Sequence, residues 1–375
     1  MDVCAGTIRD ELTIFLAGDV MTGRGIDQVL LRPGDPRLRE GFVHDARDYV
    51  ALAEAANGPV PWPVDPAYPW GDALGVLDEA APDVRVLNLE TSITRSDDFL
   101  PGKAVHYRMS PANVECIRAA RPDVCVLANN HVLDFGRGGL ADTLAALDRA
   151  GLAHAGAGRT VGEAEAPTVT QARGGRVLVH AFGTASSGVP PGWAATAEHG
   201  GVAFLPELSV TTADSVLSHV QAHRQQGDVV AVSVHAGSNW GYPVSRGYRR
   251  FAHRLVDGGV DVVHGHSSHH PRPVEIYRGR PILYGCGDLV NDYEGISGWG
   301  SYRSHLRLFY LVTLDGRSHE LVELRMVPVR ARRLRLQRAP VADADWLRQV
   351  MDRISRVHGT VVESGPEDSL MALPV

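Results

Sequence analysis

The chain has 375 residues, 44% hydrophobic and 22% charged, which is enough for one large domain or two ordinary ones with a substantial core. Its formal net charge of −7 argues against a nucleic-acid partner, whose binding footprint would be a basic face. The four cysteines, Cys4, Cys116, Cys125 and Cys286, form no Cys-x-x-Cys pair, so neither a zinc knuckle nor a disulfide framework is indicated and a reducing, cytoplasmic setting fits.

The N-terminus carries Asp2, Asp10 and Glu11 ahead of a short apolar run, whereas a signal peptide needs a basic start and a longer core. No run approaches the roughly 18 apolar residues of a membrane span, so no membrane segment is expected. The run TIFLA reads as a first strand and breaks into Gly18-Asp19. Leu31 to Trp70 is dense in Pro, Asp and aromatics, and reads as an inserted loop near residues 31–70 that shapes or covers a pocket.

From Asp72 helix and strand patterns alternate. VRVL breaks into Asn88-Leu89-Glu90, and Ser110-Pro111 supplies an N-cap and first-turn proline for a helix through Ala120. VCVLA then breaks into Asn129-Asn130-His131, and Leu140, Leu144 and Leu147 form a helical stripe with Gly151 as C-cap. VLVHAFG is another strand, followed by an irregular insertion, a helix over 213–225, and VVAVSV ending at His235. A helix around 246–256 leads into VDVV, which breaks into His264-Gly265-His266-Ser267-Ser268-His269-His270. Beyond Pro281 the strands have short connections, and the basic run Arg325 to Arg338 alternates with Val and Leu as an exposed-face strand does. One domain over 1–335, followed by a C-terminal helix and tail over 336–375, is the expected organisation.

This order, βαβα first and antiparallel-looking strands later, predicts an α/β sandwich of two sheets covered by helices. Five apolar runs that each end in Asp, Glu, Asn or His read as strands buried on both faces, and such sheets bind ligands outside the carboxyl ends of their strands. Polar breaks gathered at one sheet edge point to a metal-centred active site. Asp19 alone reads equally well as a turn residue, Asn129 and Asn130 could serve as left-handed turn residues, and His235 alone could be a core histidine. Four imidazoles in seven residues are less easily structural: His266 and His269 are the candidate ligands, with His264 and His270 as bystanders. His131, with Asp134 three residues on, suits a carboxylate-oriented general acid. Asp288, Asn291 and Asp292 follow a further strand as supporting or substrate contacts, or as a Gly-rich turn.

The motifs GDVMTGR, VLNLETSIT, VLANNHVLDFGRGGLADTLAALDRAGLAHAGAG, VSVHAG and VDVVHGHSSHHPRPVEIYRGRPILYGCGD resemble the CapA, or poly-γ-glutamate capsule biosynthesis, family within the calcineurin-like metallophosphoesterases, over roughly Leu12 to Tyr293. The resemblance implies a metallophosphatase-like, four-layer αββα sandwich with one or two divalent ions (Mn, Fe or Zn). It makes Asp19 the first metal aspartate, Glu90 the acid that bridges two metals, Asn130 the amide ligand and His235 a metal histidine. His269 matches the last family histidine, and His266 is displaced from the expected partner. His131 matches the acid that protonates the leaving group. Met21 stands where calcineurin-like enzymes have a histidine, and thioether is a poor ligand for such ions.

A metal-dependent hydrolase of a phosphoester or related anionic substrate is the leading expectation, with Arg24 and Arg303 as anion clamps. Amide chemistry on a γ-glutamyl or other peptide-like substrate, and a non-catalytic accessory protein with a degenerate site, are the alternatives.

Overall fold

The computed structural model describes residues 11–375 except Gly174, Ser297 and Trp299. The acidic stretch through Asp10, including Cys4, lies outside the described residues. Among those described, the other three cysteines are free and buried, and no helix is long and apolar enough to cross a membrane.

Period-two alternation sorts the strand side chains into three packed layers. The strands of the two large sheets are β1 (Glu11–Val20), β2 (Val84–Leu89), β3 (Val124–Val126), β4 (His154–Ala155), β5 (Thr168–Ala172), β6 (Gly175–Thr184), β7 (Phe204–Leu205), β8 (Val229–His235) and β9 (Val262–His266). They continue with β10 (Val274–Tyr277), β11 (Arg280–Leu283), β12 (Asp288–Val290), β13 (Leu306–Asp315), β14 (Leu321–Ala331), β15 (Leu336–Arg338), β16 (Thr360–Ser364) and β17 (Leu370–Pro374). A ten-stranded sheet runs β16-β17-β14-β13-β1-β2-β3-β4, with β12 also on β1 and β15 on β14. A seven-stranded sheet runs β7-β6-β8-β9-β11-β10, with β5 on β6.

Ile14 and Leu16 of β1 meet Val177, Val179 and Ala181 of β6 between the sheets, together with Val229 and Ala231 of β8. Their neighbours Phe15 and Ala17 face the other way, against helices α2 (Asp72–Ala80) and α3 (Gly136–Ala150). On the outer side of the second sheet, Leu178, Val230 and Val232 pack on α4 (Val210–His223) and α5 (Arg246–Asp257). The result is the four-layer αββα sandwich. The central strands β2, β8 and β9 are buried along their whole length because both faces are covered.

Two segments differ in detail from their sequence reading. The Pro-rich stretch contains a regular helix, α1 (Arg47–Asn57), which falls in the proline-free interval between Pro36 and Pro59. The C-terminal segment begins with the expected helix, α6 (Val341–Ser355), but its end is a hairpin: β16 and β17 pair antiparallel, and β17 pairs with β14. Leu347, Met351, Val362 and Leu370 of this segment lie in the inter-sheet core. Leu370→Ala should therefore destabilise the protein by about 2–4 kcal/mol, as burial-deletion series do. Denaturant unfolding checks this, and an unchanged midpoint would show that the hairpin is dispensable.

Candidate metal centre

The carboxyl end of β1 is flanked on both sides. Asp19 is paired in register with Asn88 of β2 and with Asp288 of β12. Gly18 permits this approach, because a Cβ there would lie 1.7 Å from the carbonyl oxygen of Gly287, which accepts the Asp19 N–H. The Asn88 amide donates to both Asp19 Oδ1 (2.8 Å) and Glu90 Oε2 (3.0 Å), and its own oxygen accepts from Asn129 (3.0 Å). A neutral amide thus holds two carboxylates together.

The second sheet brings imidazoles to the same edge. His235 and His266 are register partners on β8 and β9, with their Nδ1 atoms 2.7 Å apart, and Ser233 Oγ lies 2.8 Å from His266 Nε2. In the turn that follows, Ser267 adopts φ 104°, a left-handed conformation that turns its N–H toward Asp19. Such backbone strain costs on the order of 1–3 kcal/mol and tends to sit at functional sites. His269 then places Nδ1 2.9 Å from Asp288 Oδ1.

Two sets of ligand atoms result, Asp19 with His235 and His266, and Asp19 with His269 and Asp288, each set within 4.8 Å of itself. Asp19 is common to both. Glu90, which Asn88 joins to Asp19, places Oε1 3.8 Å from His131 Nε2 and 3.9 Å from His235 Nε2. Asn130 Oδ1 is 3.1 Å from His235 Nε2.

Burial, reinforced by Asp288, pushes Asp19 up to about 7, and burial with the Asp19 charge pushes Glu90 well above the carboxylate range. Burial holds His235 and His266 well below the ordinary imidazole value, so both rings are neutral. Burial would lower His269 as well, but Asp288 outweighs it and raises the ring. Asp19 Oδ2 is buried with no hydrogen-bond partner. Crowded carboxylates, neutral imidazoles and an orphaned carboxylate oxygen form a donor set that fits a divalent cation.

His131 borders this centre. Its Nδ1 lies 2.8 Å from Asp134 Oδ2, which also accepts the Tyr107 N–H at 2.6 Å. Lys103 reaches the same point: its Nζ pairs with Asp134 Oδ1, donates to the Asn130 carbonyl and lies 3.0 Å from His131 Nδ1. Burial lowers His131 to about 4. Burial alone would raise Asp134, but His131 and Lys103 hold it below its usual value.

The two arginines expected as anion clamps have partners of their own, as do the two bystander histidines. Arg24 spends its guanidinium on Asp292, on Glu40 (3.0 Å) and on the Tyr49 hydroxyl (3.0 Å). It walls a cavity of about 210 Å³ beside His269, but as a buried ion-pair hub rather than a free clamp. Arg303, the other expected clamp, is tied to Asp343 of α6 at 3.1 Å and lies over the Trp346 ring. His264 bonds the Ala17 carbonyl, and His270 accepts the Gly241 N–H. Met21 is fully buried.

Sequence reasoning missed Asn88, left Asp288 in a supporting role and overlooked Lys103. For Asn88 the signal was its position two residues before Glu90, which puts both on one strand face. For Lys103 the signal was compositional: it is the chain's only lysine beside 36 arginines.

Known proteins place the chain by likeness. It is 52% identical, over 97% of both chains, to a protein of Mycobacterium tuberculosis named probable polyglutamine synthesis accessory protein. It is 27% identical to the PGA biosynthesis protein CapA of Bacillus subtilis, covering 82% of this chain and 69% of that one. A solved phosphatase structure from Mycoplasma pneumoniae matches with 9% identity and a TM-score of 0.47, over 85% of this chain and 94% of the other. The family described as bacterial capsule synthesis protein PGA_cap matches residues 13–293, and the chain belongs to that family.

Proposed function

We propose that this chain is a metal-dependent hydrolase acting on a phosphoester or related anionic substrate, with His131 as proton donor to the leaving group. The observation that carries this reading is the unpartnered, buried Asp19 Oδ2 at the junction of two ligand sets, with the His131–Asp134 pair alongside. Asp19, His235 and His266 would hold one ion, and Asp19, His269 and Asp288 a second, with Glu90 and Asn130 flanking them. Bound there, divalent ions supply Lewis acidity and bring the pKa of water toward neutrality. Three carboxylates against two dications leave the centre net positive, which favours an anionic substrate.

His131 must carry its proton on Nε2, the nitrogen that faces Glu90, in order to donate it. A neutral ring has one proton for two nitrogens, and both Asp134 and Lys103 contact Nδ1. When Lys103 donates to Nδ1, the ring proton resides on Nε2, and as Nε2 gives that proton to the leaving group Nδ1 takes one from the Lys103 ammonium, so the ring stays neutral. Lys103→Met should thus shift the ring toward the Nδ1–H tautomer and lower turnover by roughly 10- to 100-fold, most severely for poor leaving groups. Nitrogen NMR of the ring and a leaving-group series check this, and an equal loss across the series would remove the tautomer argument.

The overall reading is tested by metal analysis of the purified protein, followed by Mn, Fe, Zn and Co panels against an aryl phosphate, an aryl phosphodiester and γ-glutamyl amides. Absence of bound or activating metal, together with unchanged behaviour of Asp19→Ala and His131→Ala, sinks the hydrolase. Turnover of the amides alone replaces phosphoester chemistry with amide chemistry. A second reading, a non-catalytic accessory protein that keeps metal structurally, is favoured by Met21 at a position where a ligand was expected and by the name of the mycobacterial relative.

A further inference from the structure

Next to the metal centre lies a second cavity, of about 350 Å³, whose wall is rich in guanidinium groups. Arg307 on β13, Arg330 on β14 and Arg332 just beyond it line this space with His305 and Ser304. Among the described residues, no carboxylate oxygen comes within 4.0 Å of a nitrogen of any of the three arginines.

Arg307 is 1% exposed, and its hydrogen-bond partners are neutral: the Leu306 carbonyl and Asn291 Oδ1 at 2.8 Å. The Nε atoms of Arg307 and Arg330 are buried without a partner. The one acid on the wall, Glu294, already accepts the N–H groups of Arg333 (2.7 Å) and Leu334 (2.9 Å) and the Asn57 amide. Asp288 and Glu294 act on Arg307 only from beyond ion-pair distance, and an oxyanion in the cavity would supply the direct contact that the buried guanidinium lacks. Tyr293 and Ser304 wall both this cavity and the one beside His269, so the two spaces adjoin. The Tyr293 ring centroid is 5.1 Å from that of His269.

We propose that the Arg307–Arg330–Arg332 cavity is an oxyanion subsite that receives a second carboxylate or phosphate group of a molecule whose reacting bond lies at the metal centre. The link to a reacting bond rests on the hydrolase reading, whereas the anion site itself does not. The ligand class is therefore a chain-like molecule with at least two anionic groups. One is presented to the metal-centre side and the other to the arginines.

Titration calorimetry on the full chain after chelator treatment tests the site, with inorganic phosphate and glutarate as separate probes. Saturable binding that weakens with added salt is expected. The Arg330→Ala/Arg332→Ala double variant, which leaves buried Arg307 in place, should bind roughly ten-fold or more weakly. Asp19→Asn should leave this binding as it is. The preferred probe identifies carboxylate or phosphate as the natural group.

No saturable binding, equal binding by the double variant, or loss of binding in Asp19→Asn would each overturn the subsite. With metal restored, an aryl phosphate bearing a carboxylate-tipped arm should suffer a roughly ten-fold larger KM increase from the double variant than one without the arm. Equal increases would separate the subsite from catalysis. Turnover of neither ester removes the phosphoesterase reading and leaves the subsite to stand or fall on the titration.

Discussion

His131→Asn is expected to retain bound metal and to lose turnover by about 10²- to 10⁴-fold, the range associated with removing a positioned general acid. The separation of the two effects follows from geometry. His131 Nε2 is 3.8 Å from the nearest Glu90 oxygen and belongs to neither ligand set, while its Nδ1 is committed to the Asp134 and Lys103 side. Asparagine keeps a polar side chain near Lys103 but cannot deliver a proton. The loss should shrink for esters whose leaving group departs without protonation, such as nitrophenolates. Metal loss by His131→Asn would make the imidazole a ligand, and a uniform loss across leaving groups would make it structural.

Chelation should destabilise the protein, and the gap between loaded and chelated forms should widen as pH rises. Asp19 is an acid raised to about 7 in the folded state, principally by burial, and Glu90 is raised further. An acid with an elevated folded pKa contributes stability that is fully present below its unfolded value, near 4, and is lost as pH rises through the folded value. The chelated protein therefore carries an increasing penalty between about pH 4 and pH 7, and Glu90 extends it upward. Cations compete with those protons, so loading removes the penalty over the same window. At a hundred-fold excess over the dissociation constant, one ion contributes about 2.7 kcal/mol.

Melting curves of loaded and chelated protein across this range provide the measurement, and terms common to both cancel in the difference. Parallel curves would show that the carboxylate cluster does not answer to metal. Asp19→Asn should flatten the gap, because it removes the carboxylate shared by both ligand sets.

The layers of the fold were legible because burial on both faces leaves continuous apolar runs, and the site was legible where such runs stop. β1, β2, β3, β8 and β9 all announced themselves in this way. Asp288 was harder to see: the three-residue β12 follows the small residues of Tyr284-Gly-Cys-Gly, and its role comes from register with Asp19. Lys103 lies in a loop whose path depends on distant packing.

Arginine direction was invisible for a related reason. The partners of Arg24 include Asp292, and that of Arg303 is Asp343. No local pattern reveals which way so long a side chain turns. The C-terminal hairpin did leave a readable trace, two short apolar runs around Gly365-Pro366-Glu367-Asp368, a punctuation that ordinarily joins strands.

The register of Asp19 with Asp288 also sets a timetable. Asp19 is made well before Asp288, whose strand β12 follows all seven strands of the second sheet but only four of the ten of the first. Contacts spanning so much chain form slowly, because loop closure precedes the gain from contact. A nascent chain interrupted before β12 would hold Asp19, Asn88, His235 and His266 but only half of the shared ligand arrangement. Completion of the centre thus waits for β12 to pair with β1, and a cation captured there would act as a late lock between elements already formed rather than as a seed for their folding.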